Sequence, residues 1–284
     1  MGRWALDDIA WERFDRAQLD PEIASLAKAA ALVEYNGGAY ARHLCRVFDD
    51  DPAFQESARR WGAEEVQHGE ALGRWAELAD PKFDFAAAFV RFRAGYRCDF
   101  DCDRSRRGSR SGEMVARCIV EAATSSYYSA LRDAAEEPVL KQICRHIAAD
   151  EVRHFKLFYQ TLIRYLEIER IGFWRRLWVA LGRLAEAQDD ELAYAYYAAS
   201  STGRPYDHRH HGRAYERRAF AVYRKPHVVS GLRLIFKTVG LAPNTRLSRA
   251  AAHLAWAAMR CRSAGSRRHS ATVVDEPSGR STGY

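Results

Sequence analysis

The chain has little that breaks, spans or cross-links. Proline occurs 8 times in 284 residues, so few positions force a helix to stop or kink. No run of about 18 apolar residues is present, which excludes a spanning helix. Six cysteines are scattered as Cys45, Cys98, Cys102, Cys118, Cys144 and Cys261, with no Cys-x-x-Cys pair. Cys98 and Cys102 lie four apart, and a structural zinc site would need two further ligands close by. Reduced thiols of a cytoplasmic protein are the expectation. The opening Met1-Gly2-Arg3-Trp4-Ala5-Leu6-Asp7-Asp8 turns acidic too early for a secretory leader. Flavin and iron–sulfur motifs are also missing.

What is present is an ordinary globular composition, 48% hydrophobic and 29% charged. Stretches rich in Ala, Leu, Glu and Arg favour helix. The net charge of +7 is unevenly placed: residues 201–284 hold 16 basic and 4 acidic residues, leaving 28 basic and 33 acidic in residues 1–200. No nucleic-acid-binding motif accompanies the basic region, so nucleic acid is not an expected partner. An acidic protein or an anionic membrane surface is the matching counterpart.

Residues 1–19 form a mixed polar and aromatic lead-in. Asp20-Pro21-Glu22 is a helix start, with Asp as cap, Pro at the first position and an acid in the first turn. The first helix is predicted to run to about Phe48. Asp51-Pro52 opens a second, which ends near Leu78 before Asp80-Pro81. A shorter segment covers Phe83 to Tyr96, and residues 98–112 read as an exposed loop. A third helix follows from about Glu113 to Ala134, and Glu137-Pro138 opens a fourth that reaches Ile168. Two short turns and one long crossover match a ferritin-like four-helix bundle. The fold expected is therefore all-α: a bundle over 20–168, additional C-terminal helices over 169–261, and a disordered tail over 262–284. Within the C-terminal region a helix is predicted at about 171–199, a polar loop at 201–212, and short helices at about 213–224, 227–239 and 244–261.

The chemistry lies in a repeated Glu-x-x-His. Glu65 and His68 stand in Ala63-Glu64-Glu65-Val66-Gln67-His68, and Glu151 and His154 in Ala149-Asp150-Glu151-Val152-Arg153-His154. Positions three apart share a helix face, so each copy aims a carboxylate and an imidazole at one point. Glu64 also shares a face with His68, but Glu151 sets the three-residue rule in the other copy. The remaining two helices offer one isolated acid each. Glu34 is the only acid between Glu22 and Asp49, and Glu121 the only one between Glu113 and Asp133. A lone carboxylate in such apolar surroundings is expensive. Glu34 precedes Glu65 by 31 residues and Glu121 precedes Glu151 by 30, so two near-identical halves each read Glu, hairpin, Glu-x-x-His. Four carboxylates and two imidazoles suit two iron ions, or manganese, better than zinc or calcium.

These motifs resemble the ferritin-like di-iron carboxylate proteins, and within them the soluble acyl-carrier-protein desaturases. Trp61-Gly62-Ala63-Glu64-Glu65-Val66-Gln67-His68-Gly69 is similar to their Trp-Thr-Ala-Glu-Glu-Asn-Arg-His-Gly, and Ile147-Ala148-Ala149-Asp150-Glu151-Val152-Arg153-His154 to their Ile-Ala-Ala-Asp-Glu-Lys-Arg-His. Glu121-Ala122-Ala123-Thr124 is similar to their Glu-Arg-Ala-Thr. The resemblance covers about residues 20–168. It implies two irons that are reduced by an external donor such as ferredoxin, bind dioxygen, and oxidise an unactivated C–H bond of an apolar or acyl substrate. It also implies a proton-delivery role for Thr124 and an orienting role for Asp150 beside a ligating histidine, a partner such rings generally need; Glu64 is assigned to the same surrounding layer. Gln67 stands where the desaturases have Arg, and Gly37-Gly38 follows Glu34; the glycines mark a kink, make room for a channel, or let a neighbouring helix approach. These departures bear on the substrate more than on the metal site.

Other constellations are read more simply. Tyr128, seven residues past Glu121, is a radical-forming tyrosine or core packing. His146 is an extra ligand or a bystander, and the His208, His210 and His211 loop a metal site or a solvated turn. Phe173-Trp174-Arg175-Arg176-Leu177-Trp178 and the run Val228 to Leu241 pack on the bundle, form a homodimer contact or lie on a membrane surface. The function expected is an oxygen-dependent di-iron oxidoreductase of desaturase or oxygenase type. The alternatives are iron handling or peroxide removal like that of bacterioferritins, rubrerythrins and manganese catalases, and a non-catalytic binding protein using the basic C-terminal region.

Overall fold

Helix-forming sequence between strong caps sets the architecture. The computed structural model describes residues 4–96, 103–186, 190–200 and 205–271; Cys98 and Cys102 lie outside them. Among the described residues the chain is all-α, with no strand. The helices are α1 (Pro21–Tyr35), α2 (Gly37–Val47), α3 (Pro52–Ala79), α4 (Phe85–Gly95), α5 (Arg110–Ala134), α6 (Pro138–Glu169), α7 (Phe173–Glu186), α8 (Asp190–Ala199), α9 (His208–Val222), α10 (Lys225–Val239) and α11 (Arg246–Ala271). Three short 3-10 turns precede α1.

The caps act as their chemistry dictates. Asp20 accepts from the backbone of Glu22 and Ile23, Asp51 from Phe54, and Glu137 from Val139 and Leu140, with proline inside the first turn each time. Glu137 is buried and fully used: it also takes the indole N–H of Trp75 at 2.7 Å and the Asp15 amide at 3.2 Å. That ties the lead-in to the start of α6.

Helices α1 and α2 pack along α3, α5 packs along α6, and α3 faces α6. This is a four-helix core in which α1 and α2 together fill one position. Two apolar clusters occupy its ends. One holds Leu26, Leu32, Leu72, Trp75, Leu131 and Ile143; the other holds Leu44, Phe48, Phe54, Met114, Phe158 and Leu162. Each large side chain so buried contributes roughly 1.5–3 kcal/mol. The residues between the two clusters along every helix are the Glu and His positions of the repeated motif.

The structure departs from the sequence reading in three places. The first helix is not continuous to Phe48 but breaks at Asn36, which closes α1 with a tight turn to Val33 and whose side chain accepts from Arg93 at 2.8 Å. The span 171–199 is helical over Phe173–Glu186 (α7) and Asp190–Ala199 (α8), and residues 187–189 between them lie outside the described set. His208, His210 and His211 stand on α9 rather than in a loop, because Asp207 caps that helix and accepts from the His210 amide at 2.8 Å. Helix α11 continues to Ala271, ten residues into the span expected as a disordered tail.

The C-terminal helices lie directly on the core: α10 and α7 on α5, α8 on α1 and α4, and α11 on α9 and α10. Trp174 and Trp178 on α7 stay 77% and 73% exposed, so this aromatic face is not packed on the bundle. No helix among the described residues is long and apolar enough to cross a membrane.

Candidate metal centre

The six motif residues meet at the middle of the core. Glu34 comes from α1, Glu65 and His68 from α3, Glu121 from α5, and Glu151 and His154 from α6. All are between 0 and 7% exposed, where an uncompensated charge costs several kcal/mol. Two overlapping groups form. Glu34, Glu65, His68 and Glu151 can each turn one donor atom to a common point, and so can Glu65, Glu121, Glu151 and His154, all donors of a group lying within 4.8 Å of one another. Glu65 and Glu151 belong to both groups, which is the arrangement two ions bridged by two carboxylates require.

The imidazoles are placed symmetrically. His68 Nδ1 lies 3.6 Å from Glu34, 3.8 Å from Glu65 and 3.5 Å from Glu151. His154 Nδ1 lies 3.0 Å from Glu65, 3.6 Å from Glu121 and 3.9 Å from Glu151. Even the closest of these approaches lacks hydrogen-bond alignment. Both Nδ1 atoms, and one oxygen each of Glu65, Glu121 and Glu151, are buried without a hydrogen-bond partner. Unpartnered buried donor and acceptor atoms converging on two points call for a partner, and the oxygen-plus-imidazole set fits a cation.

The outer ring nitrogens are cross-braced. His68 Nε2, on α3, meets Asp150 of α6 at 3.1 Å, and His154 Nε2, on α6, meets Glu64 of α3 at 2.8 Å. Arg153 joins the two braces, 2.8 Å from Asp150 and 3.3 Å from Glu64. This fixes Nδ1 of each ring as the inward-facing atom.

Electrostatics follow from packing so many acids together. Burial alone would lower the His68 pKa, but Asp150, Glu34 and Glu65 outweigh it and hold the ring well above the ordinary histidine value. His154 behaves alike, through Glu121, Glu64 and Glu65. Burial and the neighbouring Glu65 charge push Glu34 up to about 8. Burial, with Glu65, Glu121 and Glu34, drives Glu151 well above the carboxylate range.

Two groups flank the cluster. The Thr124 hydroxyl lies against a Glu151 oxygen and also within reach of the Val120 carbonyl at 3.1 Å. The phenol of Tyr128, 1% exposed, donates to Glu34 at 2.6 Å; it is in the site, not simply in the packing around it.

One participant carried no signal in the sequence. Trp4 is buried, stacks on His68 with ring centroids 6.0 Å apart, and donates from its indole to Asp150 at 2.7 Å. Gln67, at the position that departs from the desaturase motif, donates to the Trp4 carbonyl at 3.0 Å and so holds that segment down. His146 stacks on the other face of Trp4 at 5.2 Å and joins neither ligand group. His211 accepts from the Asp207 amide at 3.2 Å, and none of the α9 histidines belongs to a metal-binding group among the described residues. Gly37 has a direct structural cause: a Cβ there would sit 2.2 Å from Cβ of Glu65, so α2 reaches this depth only without a side chain.

The sequence model of the fatty acid desaturase family matches residues 39–171, just under half of the chain. Five of the six cluster residues fall inside the matched span, and Glu34 lies before it. No curated protein matches the chain. Together the match and the buried cluster indicate a desaturase-like oxidoreductase domain with a site able to bind metal.

Proposed function

We propose that this chain is an oxygen-dependent di-iron oxidoreductase with a ferritin-like bundle, acting on an organic substrate with an apolar, fatty-acyl-like chain. The observation that carries the proposal is the pair of four-residue groups sharing Glu65 and Glu151. Four carboxylates neutralise two divalent cations, and a hard oxygen-rich set with one imidazole per ion suits iron, with manganese next. Bound iron would supply dioxygen activation. Desaturation of a –CH2–CH2– unit takes two electrons from the substrate and two from a donor, and with two protons converts one O2 to two waters. Hydroxylation takes the same two donor electrons and yields the alcohol and one water. The chain has no flavin or iron–sulfur motif of its own, so an external cytoplasmic donor such as a ferredoxin supplies them.

The residues of this chain do the rest. Glu34, Glu65, His68, Glu121, Glu151 and His154 hold the ions. Glu64 and Asp150 orient the imidazoles. Thr124 holds a proton at Glu151, at the edge of the cavity, where it can be passed inward. That cavity encloses about 900 Å³ of atom-free space, part of it open to solvent, and reaches the carboxylates past Val33, Ile119, Val120, Leu184 and Leu192. An apolar approach excludes competing water.

Anaerobic titration with ferrous iron should saturate at two per chain, and admitting dioxygen should give a transient visible absorbance with little further iron uptake. Mineralisation of many irons per chain would replace this reading with iron storage, and rapid disproportionation of hydrogen peroxide without substrate would replace it with peroxide removal. Protein holding neither iron nor manganese would leave only a binding role. Glu121→Ala should hold one iron; retention of two would overturn the assignment of that ligand.

A further inference from the structure

The cavity beside the cluster has a second charged end. Besides the carboxylates and the apolar wall, it is lined by Arg117 of α5 and Arg183 of α7, with Tyr40, Glu186 and Glu191. A neighbouring hollow shares those five residues and adds Arg106, Arg107 and Glu113, so this end also opens outward.

The acids at this end are already engaged. Glu186 takes both terminal nitrogens of Arg107 at 2.5 Å. Glu113 accepts from the Ser105 hydroxyl at 2.8 Å. Glu191 accepts the phenol proton of Tyr40. Neither Arg117 nor Arg183 makes a hydrogen bond or a close ion pair with any described residue. Arg117 lies over the rings of Tyr40 and Trp61, 5.4 and 6.0 Å from their centroids, and its Nε is buried without a partner. Arg183 is half-buried, and burial followed by the nearby Arg117 charge pulls its pKa down. Two guanidinium groups repelling each other in a partly apolar cavity are unfavourable unless an anion joins them.

The balance of charge defines the anion. Across the two hollows, the ligand cluster aside, Arg106, Arg107, Arg117 and Arg183 face Glu113, Glu186 and Glu191, leaving one positive charge unmatched. A single carboxylate satisfies that surplus and matches the planar fork of arginine. A phosphate monoester brings up to two negative charges and would lie beside Glu186 and Glu191. Position narrows the choice further. Arg117 and Glu121 are four residues apart on α5, on one face and separated by about 6 Å of helix axis. The anion therefore lies within reach of a chain whose carbons enter the metal centre. The carbonyl of a thioester is neutral and would leave that charge unmatched.

We propose that Arg117 and Arg183 bind the carboxylate of a free organic acid whose apolar chain runs past Leu184 and Leu192 toward the ligand cluster. This rests on the oxidoreductase reading for its purpose but not for its test. The iron-loaded protein, kept anaerobic, is titrated calorimetrically with decanoate, methyl decanoate and decan-1-ol. Decanoate should bind at least tenfold more tightly than either neutral analogue. Arg117→Gln and Arg183→Gln should each lose tenfold or more in decanoate affinity, leave methyl decanoate unchanged, and retain two irons per chain as proof of folding. Arg117→Lys, which keeps the charge but not the fork, should fall between and serves if the glutamine variant does not fold. Equal affinity for acid and ester, or unchanged decanoate binding in both variants, overturns the proposal while leaving a two-iron site standing. Discrimination of acid from ester by protein that holds no metal upholds the carboxylate site and removes the oxidoreductase reading instead.

Discussion

At the scale of single residues, Trp4 matters out of proportion to its place in the chain. Its indole donates to Asp150, which braces His68, and its ring covers the same imidazole. Trp4→Phe keeps the cover and removes the donor. Loss of a partner that orients a ligating histidine typically costs 10–100-fold in metal affinity, so on the proposed di-iron reading the variant should hold one iron at least tenfold more weakly in a chelator competition. Unchanged affinity for both irons would reduce Trp4 to packing. The six clustered residues were legible because helical spacing and an isolated acid on an apolar stretch leave a pattern in the sequence. Trp4 left none: it meets Asp150 across 146 positions of chain, and one tryptophan in a polar lead-in carries no period. Tyr128 lay between these cases, since its seven-residue offset from Glu121 gave its direction but not its partner, Glu34.

At the scale of helices, the break at Asn36 and the join of α10 to α5 set how the elements meet. The Gly37-Gly38 pair announced an irregularity, but the sequence could not say whether it was a kink or a close approach. It is both, because α1 stops at Asn36 and Gly37 then lets α2 lie against Glu65. The α10 join depends on Asp133 near the end of α5, which pairs with His227 at 2.9 Å, while Ser126 donates to the His227 carbonyl at 2.8 Å. Hydrogen bonding to Arg132 first, then to His227, draws the Asp133 pKa from 3.8 to about 2 against the effect of burial. A carboxyl depressed in the folded state stabilises it above its unfolded pKa, and that contribution disappears as pH falls through the folded value. The stability Asp133 provides should therefore be complete above pH 3.8 and lost by about pH 2. With Asp133 about a third exposed, solvent screening holds the effect under about 1 kcal/mol. Asp133→Asn should flatten this part of the thermal-stability profile; an unaltered slope would show that the pair contributes nothing.

At the scale of the whole molecule, the metal centre and the cavity draw on different parts of the chain. The centre comes from the four-helix core, where the desaturase family model also matches. Arg183, Leu184, Glu191 and Leu192, which complete the cavity, come from α7 and α8 beyond that match. The all-α class was readable from composition and caps. The role of the C-terminal helices was not, because their basic, aromatic pattern suits a packed face and an exposed one equally well. Burial separates the two: α7 buries only Val179 and Ala180 while exposing Trp174 and Trp178. Regions with few buried contacts open first. Hydrogen exchange followed by mass spectrometry should therefore find α3, α5 and α6 slowest and α7 much faster; equal protection of α7 would mean that its exposed face is covered in solution.

The crossed braces on the two histidines have a consequence for assembly. Each depends on α3 and α6 standing in one register, with Glu64 opposite His154 and Asp150 opposite His68. A slip of one residue would turn both acids away together and leave neither imidazole held. On the proposed reading the centre then has no half-aligned form able to retain one ion tightly, and the metal bound at saturation counts the correctly assembled molecules.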